Sequence, residues 1–204
     1  MSVDRQAPTD SGVRRAVLIV AILNFAYFGV EFVVARLIGS VSLFADSVDF
    51  LEDTSVNLLV FFAFAWSARA RARVGGVLAF VILVPAVATL WTGVVKILDP
   101  EPPEFSAFSL TALGALAVNL GCAFILMRHR RHPGSLTRAA WLSARNDSLA
   151  NIGMLVAAVV CLLTASGWPD IVVGLAIGLL NADAARAVWR TARAERLSAL
   201  DAEA

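Results

Sequence analysis

The sequence predicts an all-α, polytopic membrane protein with six transmembrane helices and both termini in the cytoplasm. Two features of the 204 residues support this fold class: 59% are hydrophobic and only 16% are charged. A soluble domain averages about 45–50% apolar and about 25% charged residues. The chain therefore has too few charges to cover a water-facing surface, which excludes an ordinary soluble enzyme, a disordered chain and a nucleic-acid-binding protein.

Six apolar stretches are long enough to cross a bilayer, whose core of about 30 Å needs about 20 mostly apolar residues as a helix. Residues 74–95, 105–127 and 148–169 carry no charge and predict helices 3, 4 and 5. Residues 13–37, 42–66 and 170–189 are apolar but interrupted by charges, and predict helices 1, 2 and 6. This gives a transmembrane domain over 13–190, between a polar cytoplasmic N-terminus (1–12) and a short cytoplasmic tail (191–204).

Arginine sets the predicted orientation, because cytoplasmic segments of membrane proteins are enriched in Lys and Arg. Most of the 17 basic residues fall in four alternate segments: the N-terminus, the helix 2–3 loop, the helix 4–5 loop and the C-terminus. The segments between them carry only Arg36 and Lys96. The alternation places both termini in the cytoplasm.

Helix 2 carries four acids, Asp46, Asp49, Glu52 and Asp53, within a predicted membrane span. A charged side chain near the bilayer centre costs about 2.5–3.5 kcal/mol on insertion scales, which makes it a functional candidate. At 100° per residue, Asp46, Asp49 and Asp53 share one face of the helix, with Asn57 beside them. Ionised carboxylates this close repel each other, so they share either protons or a cation.

Helix 5 provides a matching pair, Ser143 and Asp147, one helical turn apart. Asp53 lies about 16 Å along helix 2 from its outer end, and Asp147 lies about 12 Å along helix 5 from its inner end. The two residues therefore reach a similar depth, near the bilayer midplane. Asp49, Asp53 and Asp147 are predicted to form one site between the two helices.

A short internal echo supports this site. The segment 53–57 (Asp-Thr-Ser-Val-Asn) is similar to 147–151 (Asp-Ser-Leu-Ala-Asn). The interval between Asn24 in helix 1 and Asn119 in helix 4 is nearly the same as the interval between these two segments. Repeats with a midplane site at their interface are typical of transporters. The alternative is a structural role, in which Glu31, Glu52 or Asp46 neutralises Arg145.

These residues resemble the cation diffusion facilitator family of divalent-metal transporters. The family typically has Gly-Ser, then Ser-Leu, then Ala-Asp, then a His or Asp with an Asp four residues on. The matching residues here are Gly39-Ser40, Ser42-Leu43, Ala45-Asp46, Asp49 and Asp53. In helix 5, Ser143 and Asp147 occupy the positions of a second ligand pair, and the start of helix 6 at Trp168-Pro169-Asp170 also fits.

The resemblance implies a bundle of helices 1, 2, 4 and 5 with helices 3 and 6 beside it. It also implies a homodimer in the cell membrane that exports a divalent metal in exchange for protons, with no enzymatic activity and no permanently bound cofactor. Three features depart from the family: Ser143 replaces a common histidine, the helix 2–3 loop has no histidine, and the sequence is a short form without the C-terminal cytoplasmic domain.

The predicted ligands are Asp49, Asp53 and Asp147, with Ser143, Asp46, Asn146 or water completing the shell. Ligands bind metal in deprotonated form, so metal entry would expel protons. An all-oxygen site suits Mn²⁺ or Mg²⁺, whereas the family resemblance favours Zn²⁺, Co²⁺, Cd²⁺ or Fe²⁺. Two other functions stay open: a metal-binding or regulatory subunit that does not transport, and, less favoured, an intramembrane aspartyl protease without the expected Gly-x-Gly-Asp motif.

Overall fold

A computed structural model describes residues 7–63, 68–128 and 135–201, and within helices some side chains near the segment ends lie outside the description. The described residues form six α-helices and no strand. The helices are α1 (Ala7–Ile38), α2 (Val41–Ala63), α3 (Ala68–Lys96), α4 (Phe105–Arg128), α5 (Ser135–Thr164) and α6 (Trp168–Asp201).

The predicted all-α membrane fold is confirmed. Within the described residues, three segments are apolar and long enough to cross a membrane: Arg14–Ile38, Phe105–Met127 and Asn146–Thr164. Residues 80–96 of α3 form a shorter apolar stretch. Large apolar side chains such as Leu37, Leu110 and Leu163 are more than 70% exposed, a surface that suits contact with lipid. The chain is therefore a multi-pass membrane protein.

Four helices, α1, α3, α5 and α6, are longer than their predicted membrane spans, and the difference is largest for α5 and α6. The structure begins α5 at Ser135, well before the uncharged stretch, and continues α6 to Asp201. Hydropathy marks where a helix meets lipid, whereas backbone hydrogen bonding continues the helix beyond the bilayer until a breaker stops it.

The helices form two antiparallel hairpins, α1–α2 and α4–α5, and one further packed pair, α3 with α6. α1 packs on α2, α4 packs on α5, and α1 also packs on α4. α3 packs mainly on α6, and both contact α2. This is the bundle of helices 1, 2, 4 and 5 with helices 3 and 6 beside it that the resemblance implies. The α1–α2, α3–α4 and α5–α6 connections lie at one end, called here the outer end because the arginine distribution predicts that it faces away from the cytoplasm.

A tight turn joins α1 to α2 at the outer end. Gly39 has a φ of 67°, a left-handed conformation that glycine adopts without steric cost. The N–H of Ser40 donates to the carbonyl oxygen of Ala35 at 3.0 Å, the hydrogen bond that ends many helices after such a glycine. The chain therefore reverses within two residues and starts α2 immediately.

Asp170 of α6 holds the N-terminus of α2. Its Oδ1 accepts hydrogen bonds from the Oγ of Ser40 (2.7 Å), the Oγ of Ser42 (2.6 Å) and the N–H of Ser42 (3.0 Å). Its Oδ2 accepts from the N–H of Val41 at 2.8 Å and lies 3.7 Å from Nζ of Lys96. Asp170 is fully buried. A helix N-terminus favours negative charge, so this carboxylate satisfies two of the free N–H groups of α2 and neutralises its dipole.

A lysine and a glycine complete the contact between α6 and the N-terminus of α2. Lys96, in the last turn of α3, also donates to the carbonyl oxygen of Gly39. A Cβ at Gly174 of α6 would lie 2.6 Å from the carbonyl carbon of Val41 and 2.7 Å from the nitrogen of Ser42. α6 therefore approaches the backbone of α2 at a distance that only glycine permits. We call Asp170, Lys96, Gly174 and the α2 N-terminus the outer clasp.

The N-terminus of α4 has an exposed counterpart of this cap. Glu104 accepts hydrogen bonds from the N–H of Ala107 at 2.6 Å and from the N–H of Ser106 at 2.9 Å. These two bonds lower the pKa of Glu104 because they stabilise its ionised form. The described residues thus include a buried carboxylate cap on α2 and an exposed one on α4.

Candidate cation site

Asp49 of α2 is the centre of a cluster of carboxylates. The carboxylate of Asp147, from α5, lies close enough to act on Asp49 through its charge, and so do those of Asp53, Asp46 and Glu52. The structure therefore places Asp147 of α5 within electrostatic range of Asp49, which lies one turn from Asp53 on α2. Their shared negative charge favours a cation among them.

The burial of α2 changes at this cluster. Every residue from 40 to 48 is buried, whereas Asp49, Glu52, Asp53 and Asn57 are partly exposed. Asp147 on the facing helix is partly exposed as well. The cluster is closed towards the outer end and accessible along the C-terminal half of α2.

Asp53 contacts α1 as well as its neighbours on α2. Nδ2 of Asn24 donates to Oδ2 of Asp53 at 3.3 Å. The Sγ of Cys122, from α4, donates to Oδ1 of the same asparagine at 3.4 Å. The sequence marked Asn24 only as part of an internal echo, because nothing in the local pattern indicates which carboxylate it reaches.

Asp46 has a different environment from the other three predicted ligands. It is fully buried and faces Glu31 of α1, which is also fully buried. None of the four carboxylate oxygens of this pair accepts a hydrogen bond from a donor in the described residues. Two ionised carboxylates cannot hydrogen-bond to each other, so the pair is satisfied only by a shared proton or a cation. Its position one turn from Asp49 makes it an extension of the same acidic cluster.

The two halves of the internal echo share a local contact. Nδ2 of Asn57 donates to the carbonyl oxygen of Asp53 at 2.7 Å, and Nδ2 of Asn151 donates to that of Asp147 at 2.7 Å. In both helices the asparagine returns to the carbonyl one turn earlier, at the residue predicted to bind metal. The sequence similarity thus corresponds to the same backbone contact on the two sides of the site.

The side chain of Ser143 lies outside the described part of the structure, as does that of Arg145, although both positions belong to α5. Among the described residues, no three His, Cys, Asp or Glu side chains are already arranged to enclose a metal ion.

The fold and the site define a class: a multi-pass helical membrane protein in which carboxylates from different helices lie within electrostatic range of one another, a common arrangement in ion-transporting proteins. Residues 17–195 match the family model of the cation efflux transmembrane domain. The chain belongs to the cation efflux family, as the sequence resemblance predicted.

Three curated relatives illustrate the similarity. The chain is 26% identical to the zinc transporter ZitB of Yersinia pestis over 202 residues, covering 93% of this chain and 64% of the relative. It is 27% identical to ZitB of Escherichia coli over 198 residues, covering 90% and 61%. It is 28% identical to ZitB of Pectobacterium atrosepticum over 195 residues, covering 89% and 59%. The chain therefore spans about 60% of the length of these relatives.

Proposed function

We propose that this protein exports a divalent metal cation across the cell membrane in exchange for protons, with Asp49, Asp53 and Asp147 as ligands. The observation that carries the proposal is that Asp147 of α5 lies within electrostatic range of Asp49 of α2. Family membership and the zinc transporters among the relatives support a metal substrate. A second copy of the chain is part of the proposal, as the family resemblance implies.

Ion entry follows from the burial pattern. The cluster is partly exposed from Asp49 towards the C-terminal end of α2, and buried from residue 48 to the outer end. This shape supports a site that is open to the cytoplasm and closed to the outside. Release would require the outer half of α2 to separate from its neighbours while the inner half closes.

Proton exchange follows from the ligand chemistry. Carboxylates bind a metal in their ionised form, so an entering cation displaces any protons they hold. When the site opens to the outside, protons replace the metal and reset the carboxylates. A membrane potential contributes about 2.3 kcal/mol per charge per 100 mV, so inward protons can drive outward metal.

The substrate is proposed from two arguments that point to different ions. The relatives are zinc transporters, and Zn²⁺ commonly takes Cys and His ligands as well as carboxylates. The aspartate ligands offer only oxygen, which suits Mn²⁺ or Mg²⁺. A flux assay must therefore compare these ions directly.

The test uses purified protein in liposomes that contain one dye for metal and one for pH. Zn²⁺, Co²⁺, Mn²⁺, Fe²⁺, Cd²⁺ and Mg²⁺ are added in turn, and metal uptake with opposite proton movement is expected for one or two of them. Asp49→Asn and Asp147→Asn should reduce both signals to background, because each removes a ligand charge. Asp99→Asn is the matched control, since it makes the same change at an exposed residue of the α3–α4 connection and should leave both signals unchanged.

Two results would contradict the proposal. Unchanged flux in Asp49→Asn would exclude this cluster as the transport site. Metal binding by the wild-type protein without flux of any of the six ions would indicate a metal-binding subunit that does not transport.

A further inference from the structure

Asn24 lies beside the site without being a predicted ligand. It sits in α1, its side chain is fully buried, and its Nδ2 donates to Oδ2 of Asp53. Among the described residues, the hydrogen bond to Asp53 is the one that joins this amide to the carboxylate cluster. A neutral amide donates a hydrogen bond to a carboxylate without neutralising it, so Asp53 keeps its charge for a cation.

Cys122 fixes the orientation of the amide. An ionised carboxylate accepts but cannot donate a hydrogen bond, so the NH₂ end of Asn24 must face Asp53. The carbonyl end then faces α4, where the Sγ of Cys122 donates to it at 3.4 Å. Cys122 is itself buried. The two contacts agree on one orientation, and together they join α1, α2 and α4 through the side-chain amide of Asn24.

We propose that Asn24 is a positioning residue that occupies Oδ2 of Asp53, so that this carboxylate offers the transported cation its other oxygen alone. The inference rests on the proposed function and adds a determinant of ion preference to it. Partners that hydrogen-bond to metal ligands orient them, and their loss typically lowers metal affinity about 10–100-fold. A site with one oxygen per carboxylate suits the low coordination number of Zn²⁺. A second free oxygen favours Mn²⁺, which prefers more oxygen ligands.

The test compares Asn24→Ala with the wild-type protein in the liposome assay, using Zn²⁺ and Mn²⁺ separately. Asn24→Ala should raise the KM for Zn²⁺ about tenfold or more, with a smaller change for Mn²⁺, so that the Mn²⁺ to Zn²⁺ ratio of kcat/KM rises. Asn119→Ala is the matched control. It removes another nearly buried asparagine from the bundle, and the Nδ2 of Asn119 has no hydrogen-bond partner among the described residues. This control should leave the ion ratio within twofold of wild type.

A purely structural role for Asn24 makes a different prediction. In that case Asn24→Ala and Asn119→Ala would both lower the yield of folded protein and kcat, with KM and the ion ratio unchanged, and the inference would be wrong. If wild type transports neither Zn²⁺ nor Mn²⁺, the proposed function fails for these ions, and the inference fails with it. If wild type transports and Asn24→Ala keeps its ion ratio, only the inference fails.

Cys122 provides a second route if Asn24→Ala does not fold. Cys122→Ala removes the donor that orients the amide, whereas Cys122→Ser keeps a donor at the same place. We expect Cys122→Ala to shift the ion ratio in the same direction as Asn24→Ala, by a few-fold, and Cys122→Ser to stay near wild type. Equal ion ratios in Cys122→Ala, Cys122→Ser and wild type would overturn the inference.

Discussion

The outer clasp predicts a large loss of stability for Asp170→Asn. The amide has one acceptor oxygen in place of two, and no charge. If that oxygen keeps the three donors at Oδ1, the new NH₂ group faces the N–H of Val41 and the ammonium group of Lys96, both of which are donors. Breaking a buried charged pair typically costs about 3–5 kcal/mol. For a chain of this size that corresponds to roughly 6–20 °C in Tm.

The assay is thermal unfolding of the purified protein in detergent, with equilibrium unfolding in mixed micelles for the free energy. Glu104→Gln is the matched control, because it makes the same chemical change at the exposed cap of α4. Its loss should be much smaller, since water can replace the carboxylate. The reasoning is refuted if Asp170→Asn unfolds within 1 °C of wild type, or if both variants lose the same stability.

Two further predictions concern helix contacts at the outer end. Gly174→Ala should destabilise the protein by about 1–3 kcal/mol, because its Cβ would overlap the backbone at Val41 and Ser42. Gly153→Ala is the control, because no atom outside its own helix backbone lies within 4 Å of the added Cβ, and it should be neutral or stabilising in the same unfolding assay. Equal losses of stability in Gly174→Ala and Gly153→Ala would contradict the close approach of α6 to the backbone of α2. The cap at Glu104 should be stable at neutral pH and weaken in acid, because the pKa of Glu104 is lower in the folded protein than its ordinary value. Its ionised carboxylate therefore stabilises the fold above the ordinary pKa, and this stabilisation is lost as the pH falls through the lowered pKa. An NMR titration of Glu104 should give a midpoint below that of a glutamate in a free peptide, and a midpoint at or above it would exclude the cap.

The sequence predicted the number of helices because apolar stretches and the polar or proline-containing breaks between them can be recognised without tertiary contacts. It also placed α2 in the membrane despite four acids, since the apolar residues around them continue the span. The acids on one face then followed from helical geometry, and the contact of Asp49 with Asp147 agrees with the depth argument. These predictions need only the spacing of residues along one helix, or the equal depth in the membrane of residues on two helices.

The contacts that the sequence could not predict join residues far apart in the chain. Asp170 was marked only as part of a helix start, because its partners in α2 precede it by 128–130 residues. Asn24 was noticed for its spacing to Asn119, whereas its contact with Asp53 depends on how α1 rotates against α2. Glu31 was named with Glu52 and Asp46 as a possible partner of Arg145, whose side chain lies outside the described residues, and its contact with Asp46 was not foreseen. Local pattern gives a residue's depth and face, and tertiary packing decides its partner.

The outer clasp also bears on how the protein is assembled in the membrane. Ribosomes complete α2 long before Asp170 exists, so the first N–H groups of α2 lack that partner while the chain is being inserted. Polar backbone groups left unpaired in lipid cost several kcal/mol each. α2 is also absent from the helices of the described residues that are apolar enough to insert by composition alone. The N-terminus of α2 therefore gains its buried partner only after α6 has been synthesised and has docked against it.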